Sequence, residues 1–234
     1  MIELKTVTKR YDSLTAVDNV SFSVKAGEYF ALLGPNGAGK TTIVKMLLDF
    51  TRPTSGSVSV NGIPCTHAEC RTAIGYLAEN HHIPSCLSGW HYLLRCAELL
   101  DISRPDAMDH CRRIVELIGM QGREYSKAGT YSKGMVQRFG LGAALMGDPK
   151  LLILDEPTSG LDPIGIREIR QLLESLKDKG MTIFLNSHLL SEVEKICDTA
   201  AIINRGKLLV KDLISAIVKD GDTLEDVFVR LVKG

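Results

Sequence analysis

The sequence lacks long apolar runs. No segment approaches the roughly 18 consecutive apolar residues that a helix needs to span a bilayer. The first residues, Met1–Lys5, have neither the charged start nor the apolar centre of a signal peptide. These absences argue against a membrane-spanning chain and against a secreted one. We therefore expect a cytoplasmic protein that has any membrane role only through a partner.

An excess of charge of either sign is also missing. The chain has 28 Lys plus Arg and 28 Asp plus Glu among 234 residues, so its formal net charge is zero. A protein that binds nucleic acid through a general positive field is usually basic, and we expect no nucleic-acid partner. The length allows one large domain or two small lobes with a substantial core.

The six cysteines form no complete ligand pattern. Reduced thiols are the ordinary state in a cytosolic protein. Cys65, His67 and Cys70 have a spacing that suggests half of a zinc site, but no second compact Cys/His pair supplies the remaining ligands. We expect no zinc at this position.

Glycine, by contrast, is concentrated in one loop. The loop comprises Gly34, Pro35, Asn36, Gly37, Ala38, Gly39, Lys40, Thr41 and Thr42. It matches G-x-x-x-x-G-K-[ST] at every fixed position, and it lies between an apolar strand-like run, 29–33, and a helix-like run, 43–48.

This context predicts a phosphate site. Glycines let backbone N–H groups point at phosphate oxygens, and the helix N-terminus adds partial positive charge. Lys40 is expected to reach the β- and γ-phosphates of a nucleoside triphosphate, and the Thr41 hydroxyl to bind Mg²⁺. A chance glycine-rich turn is the alternative, and the flanking strand and helix argue against it.

Apolar periodicity predicts an α/β frame with a helical insertion. Strand-like runs alternate with helical stripes, and the stripe through Trp90, Leu93 and Ala97 begins a purely helical region. We predict one domain, 1–234. Its α/β core, of the P-loop NTPase class, would comprise 1–84 and 148–234, with a mostly parallel sheet, helices on both faces and an N-terminal antiparallel β subdomain. The helical subdomain would comprise 85–147.

Two carboxylates follow the apolar run 151–154. Ligands of α/β folds bind at the carboxyl edge of the sheet, where Asp155 and Glu156 are expected to lie. Asp155 is then suited to hold the Mg²⁺ that Thr41 also holds, and Glu156 is suited to act as general base on the attacking water. The alternative is a helix N-cap, which Pro157 makes reasonable.

A third polar segment opens a helix at Ser132. A serine and a glycine, Gly134, at a helix N-terminus form an anion site. Taken on its own, this segment is better explained as an ordinary serine N-cap.

In their order along the chain, these segments resemble the ATP-binding cassette (ABC) ATPases over essentially the full length. The matching segments are 34–42, Ser132-Lys133-Gly134-Met135-x-Gln137-Arg138, Asp155-Glu156, Ser159-Gly160-Leu161-Asp162 and His188. The resemblance implies that Tyr11 stacks on adenine and that His188 contacts the γ-phosphate and the attacking water. Each of these two residues also has an ordinary structural explanation, as a core or surface tyrosine and as a cap.

The same resemblance implies a composite site. In the family, two cassettes pair head to tail around two ATP molecules. Ser132 and Gly134 would contact the γ-phosphate held by the opposite subunit, and Asp162 would organise the dimer contact. Glu79 stands where the family usually has a glutamine that touches Mg²⁺ and senses the membrane partner.

The chain departs from the family pattern at two places. The usual signature is Leu-Ser-Gly-Gly-Gln, whereas this chain has Tyr131-Ser132-Lys133-Gly134-Met135, and Glu79 replaces the glutamine. Ser132 and Gly134 remain, and both changes are similar to single-cassette exporters. We interpret neither as loss of ATPase activity.

The resemblance therefore implies the ATP-hydrolysing subunit of an ABC transporter, and we expect an exporter. Its cofactors would be ATP and Mg²⁺. Its partners would be a second copy or a paralogous cassette, and an integral membrane permease that holds it on the cytoplasmic face of the membrane. The alternatives are a soluble ABC ATPase of translation, repair or regulation, and a P-loop kinase of small molecules.

Overall fold

The computed structural model describes residues 1–219 and 221–233. The strands are β1 (Ile2–Tyr11), β2 (Leu14–Val24), β3 (Tyr29–Leu33), β4 (Ser55–Val60), β5 (Ile63–Pro64), β6 (Ile74–Leu77), β7 (Leu151–Asp155), β8 (Thr182–Asn186), β9 (Thr199–Asn204) and β10 (Lys207–Leu213). The α-helices are α1 (Lys40–Leu47), α2 (Gly89–Leu99), α3 (Arg104–Leu117), α4 (Lys133–Ala144), α5 (Pro163–Lys177), α6 (Leu190–Ile196), α7 (Ile214–Ile217) and α8 (Leu224–Lys233). Short 3₁₀ turns occupy Ala68–Ala73 and Ala128–Thr130.

The chain forms two compact units. The first combines Met1–Ala73 with the described residues from Lys179 onward, and the second is Ile74–Asp178. The chain therefore leaves the first unit once and returns to it. The limits of the predicted helical subdomain, 85–147, stay a prediction.

The first unit contains an antiparallel sheet with the strand order β2-β1-β4-β5. Val17, Val20, Phe22 and Val24 of β2 are buried, as expected where apolar and polar residues alternate along a strand with one face on the core. Gly56 begins β4 with φ +82°, and a Cβ there would collide with the carbonyl oxygen of Thr6. Only glycine fits this close approach of two strands.

The same unit holds a mixed set of strands in the order β10-β9-β3-β8. Strand β3 runs parallel to β8 and to β9, and β9 is antiparallel to β10. Every residue of β3 and β8 is buried, which is typical of strands covered on both faces. The ring of Phe30 lies 5.3 Å from that of Phe22 and 5.2 Å from that of Phe184. The ends of β3 and β8 therefore deliver the glycine loop and the His188 segment to one edge of the strand set.

The second unit pairs β6 with β7 in parallel, with Leu77 opposite Leu154. Helices α2, α3 and α4 pack against one another in the same unit. A Cβ on Gly142 of α4 would lie 2.8 Å from Cγ2 of Ile114 in α3, so glycine allows the two helices to approach closely. The register of β6 and β7 brings Glu79 and Asp155 to one edge.

The predicted elements are largely confirmed. The strand before the glycine loop is β3 and the helix after it is α1, which ends at Leu47. The segment Ser103-Arg104-Pro105 is typical of a helix start, and α3 begins there with proline in its first turn. The segment Asn204-Arg205-Gly206 between two apolar runs predicts a hairpin, and it joins β9 and β10.

Candidate functional site

The glycine loop in the first unit has a backbone that favours glycine at two positions. Gly37 and Gly39 have φ of +78° and +107°, in the left-handed half of conformational space. A Cβ on Gly39 would also collide with the carbonyl oxygen of Ala16, and one on Gly34 with that of Ile203. The fixed glycines thus wrap the loop tightly around the N-terminus of α1, where Gly39 is the N-cap residue.

Lys40 folds back over the same loop. Its ammonium donates to the carbonyl oxygen of Gly34 at 2.6 Å and to that of Pro35 at 3.2 Å, and the residue is only 9% exposed. The carbonyl groups hold the ammonium in place beside a helix N-terminus. A cation and a helix N-terminus on one loop are features of a phosphate site.

A cleft of about 450 Å³ opens beside this loop. It is lined by Tyr11, Leu14, Thr15, Ala16, residues 36–42 and Arg205. Its volume lies within the range of small-ligand sites. The structure therefore brings the predicted adenine-stacking residue, Tyr11, and the predicted phosphate-binding residues to one cleft.

Tyr11 is positioned by its neighbours. It ends β1 and is 40% exposed, and the ammonium of Lys9 lies 4.8 Å from the centre of its ring. That ammonium also donates to the carbonyl oxygen of Arg52 at 2.7 Å. A cation over one face of the ring is a favourable contact, and it fixes the ring orientation. Lys9 was not anticipated from the sequence, since its contact depends on the loop after α1.

His188 lies between β8 and α6 and is exposed. The hydroxyl of Ser187 accepts the backbone N–H of Leu189 at 3.1 Å, which fixes the turn that carries the histidine. Because β8 is parallel to β3, His188 and the glycine loop leave the strand set at the same edge.

The carboxylates of the second unit gather at the ends of β6 and β7. Asp155 and Glu156 are only 6% and 8% exposed. The pKa of Tyr76 is raised by burial and by the negative charges of Asp155 and Glu79, so both carboxylates act on the same ring. The carboxylates of Asp155 and Glu79 are oxygen ligands of the type that Mg²⁺ prefers. The third predicted Mg²⁺ ligand, Thr41, belongs to the first unit.

The N-cap alternative for Asp155-Glu156 does not hold. The next helix, α5, begins only at Pro163, and its cap is Asp162, whose carboxylate accepts the N–H of Gly165 at 2.7 Å. Glu156 instead has a left-handed backbone, with φ +51°. Such a conformation costs about 1–3 kcal/mol for a residue other than glycine, and it is typical of functional positions.

The signature-like segment does form a helix cap. The Ser132 hydroxyl accepts the N–H of Met135 at 3.3 Å and opens α4. The cap occupies only an acceptor position, so the hydroxyl proton of Ser132 remains available to a ligand. A second cleft, of about 470 Å³, is lined by residues 132–135 and 160–162 among others. Ser132, Gly134 and Asp162 therefore face one cleft of the second unit.

The charged residue Arg205 of the first cleft was missed by sequence reasoning. Arg205 occupies the turn of the expected hairpin, but nothing in the local sequence indicates that this turn meets the glycine loop. The contact is a single backbone hydrogen bond, from the N–H of Gly206 to the carbonyl oxygen of Ala38 at 3.0 Å.

Among residues 1–219 and 221–233, no helix combines the length and apolar character that crossing a membrane requires.

Comparison with known proteins places the chain in a family. Residues 17–159 match the family model described as ABC transporter. The chain is 42% identical over 227 residues to the uncharacterized ABC transporter ATP-binding protein YhcH of Bacillus subtilis, covering 95% of this chain and 73% of YhcH. It is 42% identical to the bacitracin transport ATP-binding protein BcrA of Bacillus licheniformis, covering 89% and 68%, and 37% identical to the lantibiotic transport ATP-binding protein SrtF of Streptococcus pyogenes, covering 90% of each. Against ABC transporter ATP-binding proteins of Nostoc and Synechocystis, it spans only 63% and 59% of the relative's length.

Solved structures agree with the sequence relatives. An ATP-binding subunit of an ABC transporter superposes with a TM-score of 0.88 at 28% identity, and 99% of each chain is covered. This match confirms the predicted α/β fold of the P-loop class. The chain belongs to the ABC transporter family and is one of its ATP-binding ATPases.

Proposed function

We propose that this cassette pairs with a second copy or a paralogous cassette, hydrolyses ATP between the two, and drives a separate membrane permease that exports its cargo. One observation carries the proposal. Each unit presents half of a phosphate site: the glycine-loop cleft in the first unit, and in the second a cleft around the N-terminus of α4. A pair of chains supplies both halves to each nucleotide.

In this proposal the first cleft binds the nucleotide. Tyr11 stacks on the base, the N–H groups of residues 34–42 surround the phosphates, and Lys40 contacts the β- and γ-phosphate oxygens. The buried, fixed position of the Lys40 ammonium supports this role, because a preorganised cation need not be ordered on binding. His188 contacts the γ-phosphate and orients the attacking water.

Glu156 accepts the proton of that water. Its burial supports this role, because a carboxylate shielded from bulk water can accept a proton from one bound water at a fixed place. The left-handed backbone at Glu156 holds the carboxylate at a fixed place after β7, and the partner's Ser132 and Gly134 complete the γ-phosphate site from the other side.

The chemistry of three side chains supports the proposal of Mg²⁺ as a cofactor. Thr41, Asp155 and Glu79 offer hydroxyl and carboxylate oxygens, the ligands of this ion. Bound there, the ion would neutralise charge on the transferred phosphate. The shared effect of Asp155 and Glu79 on Tyr76 supports a site where negative charge is concentrated and a cation is favoured.

Export and a membrane partner rest on the relatives. BcrA and SrtF are named for the transport of bacitracin and of a lantibiotic, and we propose a transport role here, in the direction of export. Residues 79–100 would contact the permease, which would hold the cassette on the cytoplasmic face of the membrane. A small-molecule kinase would have no use for the cleft around Ser132 and Asp162.

The dependence of ATPase activity on protein concentration tests the composite site. We expect turnover per chain to rise with concentration as pairs form, and we expect Asp162→Arg, placed in the second cleft, to abolish the rise. Circular dichroism controls for folding of the variant. A constant turnover per chain across a thousandfold dilution, at concentrations that span measured dimerisation, would contradict the proposal.

Co-purification of the tagged chain with an integral membrane protein tests the permease partner. A complex with soluble proteins alone would contradict a permease partner.

A further inference from the structure

The turn between β9 and β10 is attached to the glycine loop. Asn204 pairs with Lys207, so Arg205 and Gly206 form a two-residue loop. The N–H of Gly206 donates to the carbonyl oxygen of Ala38 at 3.0 Å, and the N–H of Asp18 donates to that of Gly206 at 2.8 Å. These two bonds hold the turn at a fixed place against the loop, so the residue before Gly206 is also held there.

Arginine is an unfavourable residue at position 205 of this turn. Arg205 and Gly206 have φ of +48° and +78°, as in the type I′ turns that favour asparagine, aspartate or glycine. Nine non-glycine residues of the described chain have positive φ, and six of them are asparagine or aspartate. The other three are Thr6, where β1 breaks register opposite Gly56, the proposed base Glu156, and Arg205. A residue with a strained backbone is typical of a functional position, so the side chain of Arg205 is a candidate for ligand binding.

The side chain of Arg205 lies where it can contact a ligand. It is exposed and lines the same cleft as Tyr11 and the glycine loop. Within residues 1–219 and 221–233 it has no ion pair and no side-chain hydrogen bond. Lys207, two residues later on the same hairpin, is instead paired with Asp18 at 3.6 Å and is not part of the cleft. Of these two cations, only Arg205 is placed to meet a ligand in this cleft.

We infer that Arg205 is a further nucleotide-binding residue, whose guanidinium binds a phosphate oxygen of the nucleotide in the first cleft. The inference rests on the ATP site proposed above. The attachment of the turn to Ala38, inside the glycine loop, favours the phosphates over the base. A planar guanidinium donates two parallel hydrogen bonds to phosphate, which lysine does not.

Arg205→Asn tests the inference through two effects of opposite sign. Asparagine adopts the left-handed conformation more readily, so we expect the melting temperature to rise by about 1–3 °C. The lost phosphate contact should weaken binding of ADP, and of ATP in EDTA, about tenfold in titration calorimetry. A residue that only shaped the turn would give the first effect without the second.

Two further variants complete the experiment. Arg205→Lys keeps the charge and should weaken ADP binding about threefold, since it loses the second hydrogen bond. Lys207→Gln removes a neighbouring charge outside the cleft and should change ADP affinity by less than about twofold. Equal ADP affinities of the wild type and Arg205→Asn would overturn the role of Arg205, as would an equal loss in Lys207→Gln. A wild type that binds neither ADP nor ATP would refute the nucleotide site itself.

Discussion

The two units of the chain contribute to the proposed site by different means. In the first, the site consists mainly of backbone: glycines with left-handed φ, a helix N-terminus and one buried ammonium held by two carbonyl oxygens. In the second, it consists of side chains at the ends of elements: Asp155 and Glu156 after β7, and the caps Ser132 and Asp162. Backbone geometry is suited to hold a nucleotide, and carboxylates and hydroxyls are suited to act on it.

The largest expected effect separates binding from chemistry. Glu156→Gln keeps the shape of the side chain but removes its basicity, so we expect turnover to fall by about 10²–10⁴-fold while ATP affinity changes little. Single-turnover kinetics and equilibrium binding measure the two quantities.

Asp212→Asn is a matched control, because Asp212 is an exposed carboxylate of β10 in the other unit. Near-normal turnover in Glu156→Gln would show that Glu156 is not the base. A parallel loss of ATP affinity in Glu156→Gln would mean that the second unit contributes to nucleotide binding as well as to chemistry.

The next effect concerns the backbone of the first unit. Gly39→Ala places a Cβ against the carbonyl oxygen of Ala16 at φ +107°, and we expect a loss of about 2–4 kcal/mol in the free energy of unfolding. Gly37→Ala has a comparable left-handed φ, +78°, but open space around the new Cβ. It should cost only about 1 kcal/mol. Urea denaturation compares the two variants, and equal losses would mean that close packing does not constrain the loop.

The smallest effect concerns the helical part of the second unit. Burial raises the pKa of Cys111 to about 11 from its ordinary value of 9.0. The folded state therefore retains the thiol proton where the unfolded state loses it. The stability that this burial provides is complete below pH 9 and is lost as the pH rises to about 11. We expect the unfolding free energy of the wild type, relative to Cys111→Ala, to fall by about 2 kcal/mol over this interval. Urea denaturation at pH 8 to 11 measures it, and a constant difference would contradict the prediction.

Local patterns were enough to predict the elements and most of the proposed site. The glycine spacing at 34–42, the apolar run before Asp155 and the stripe through Leu93 each depend on neighbouring residues alone. Sequence could not distinguish a cap from a ligand at Ser132, because one hydroxyl serves both purposes. It also missed Lys9 over Tyr11 and Arg205 beside the loop, since each depends on which distant loops meet.

The bond between Gly206 and Ala38 makes one amide a natural probe of the glycine loop. The proton on Gly206 exchanges with solvent only when the turn and the loop separate. Residence of a ligand in the loop would lengthen the lifetime of that contact, even if no atom of the ligand touched Gly206. The exchange rate of this one amide would then report how often the turn separates from the glycine loop when no ligand is bound.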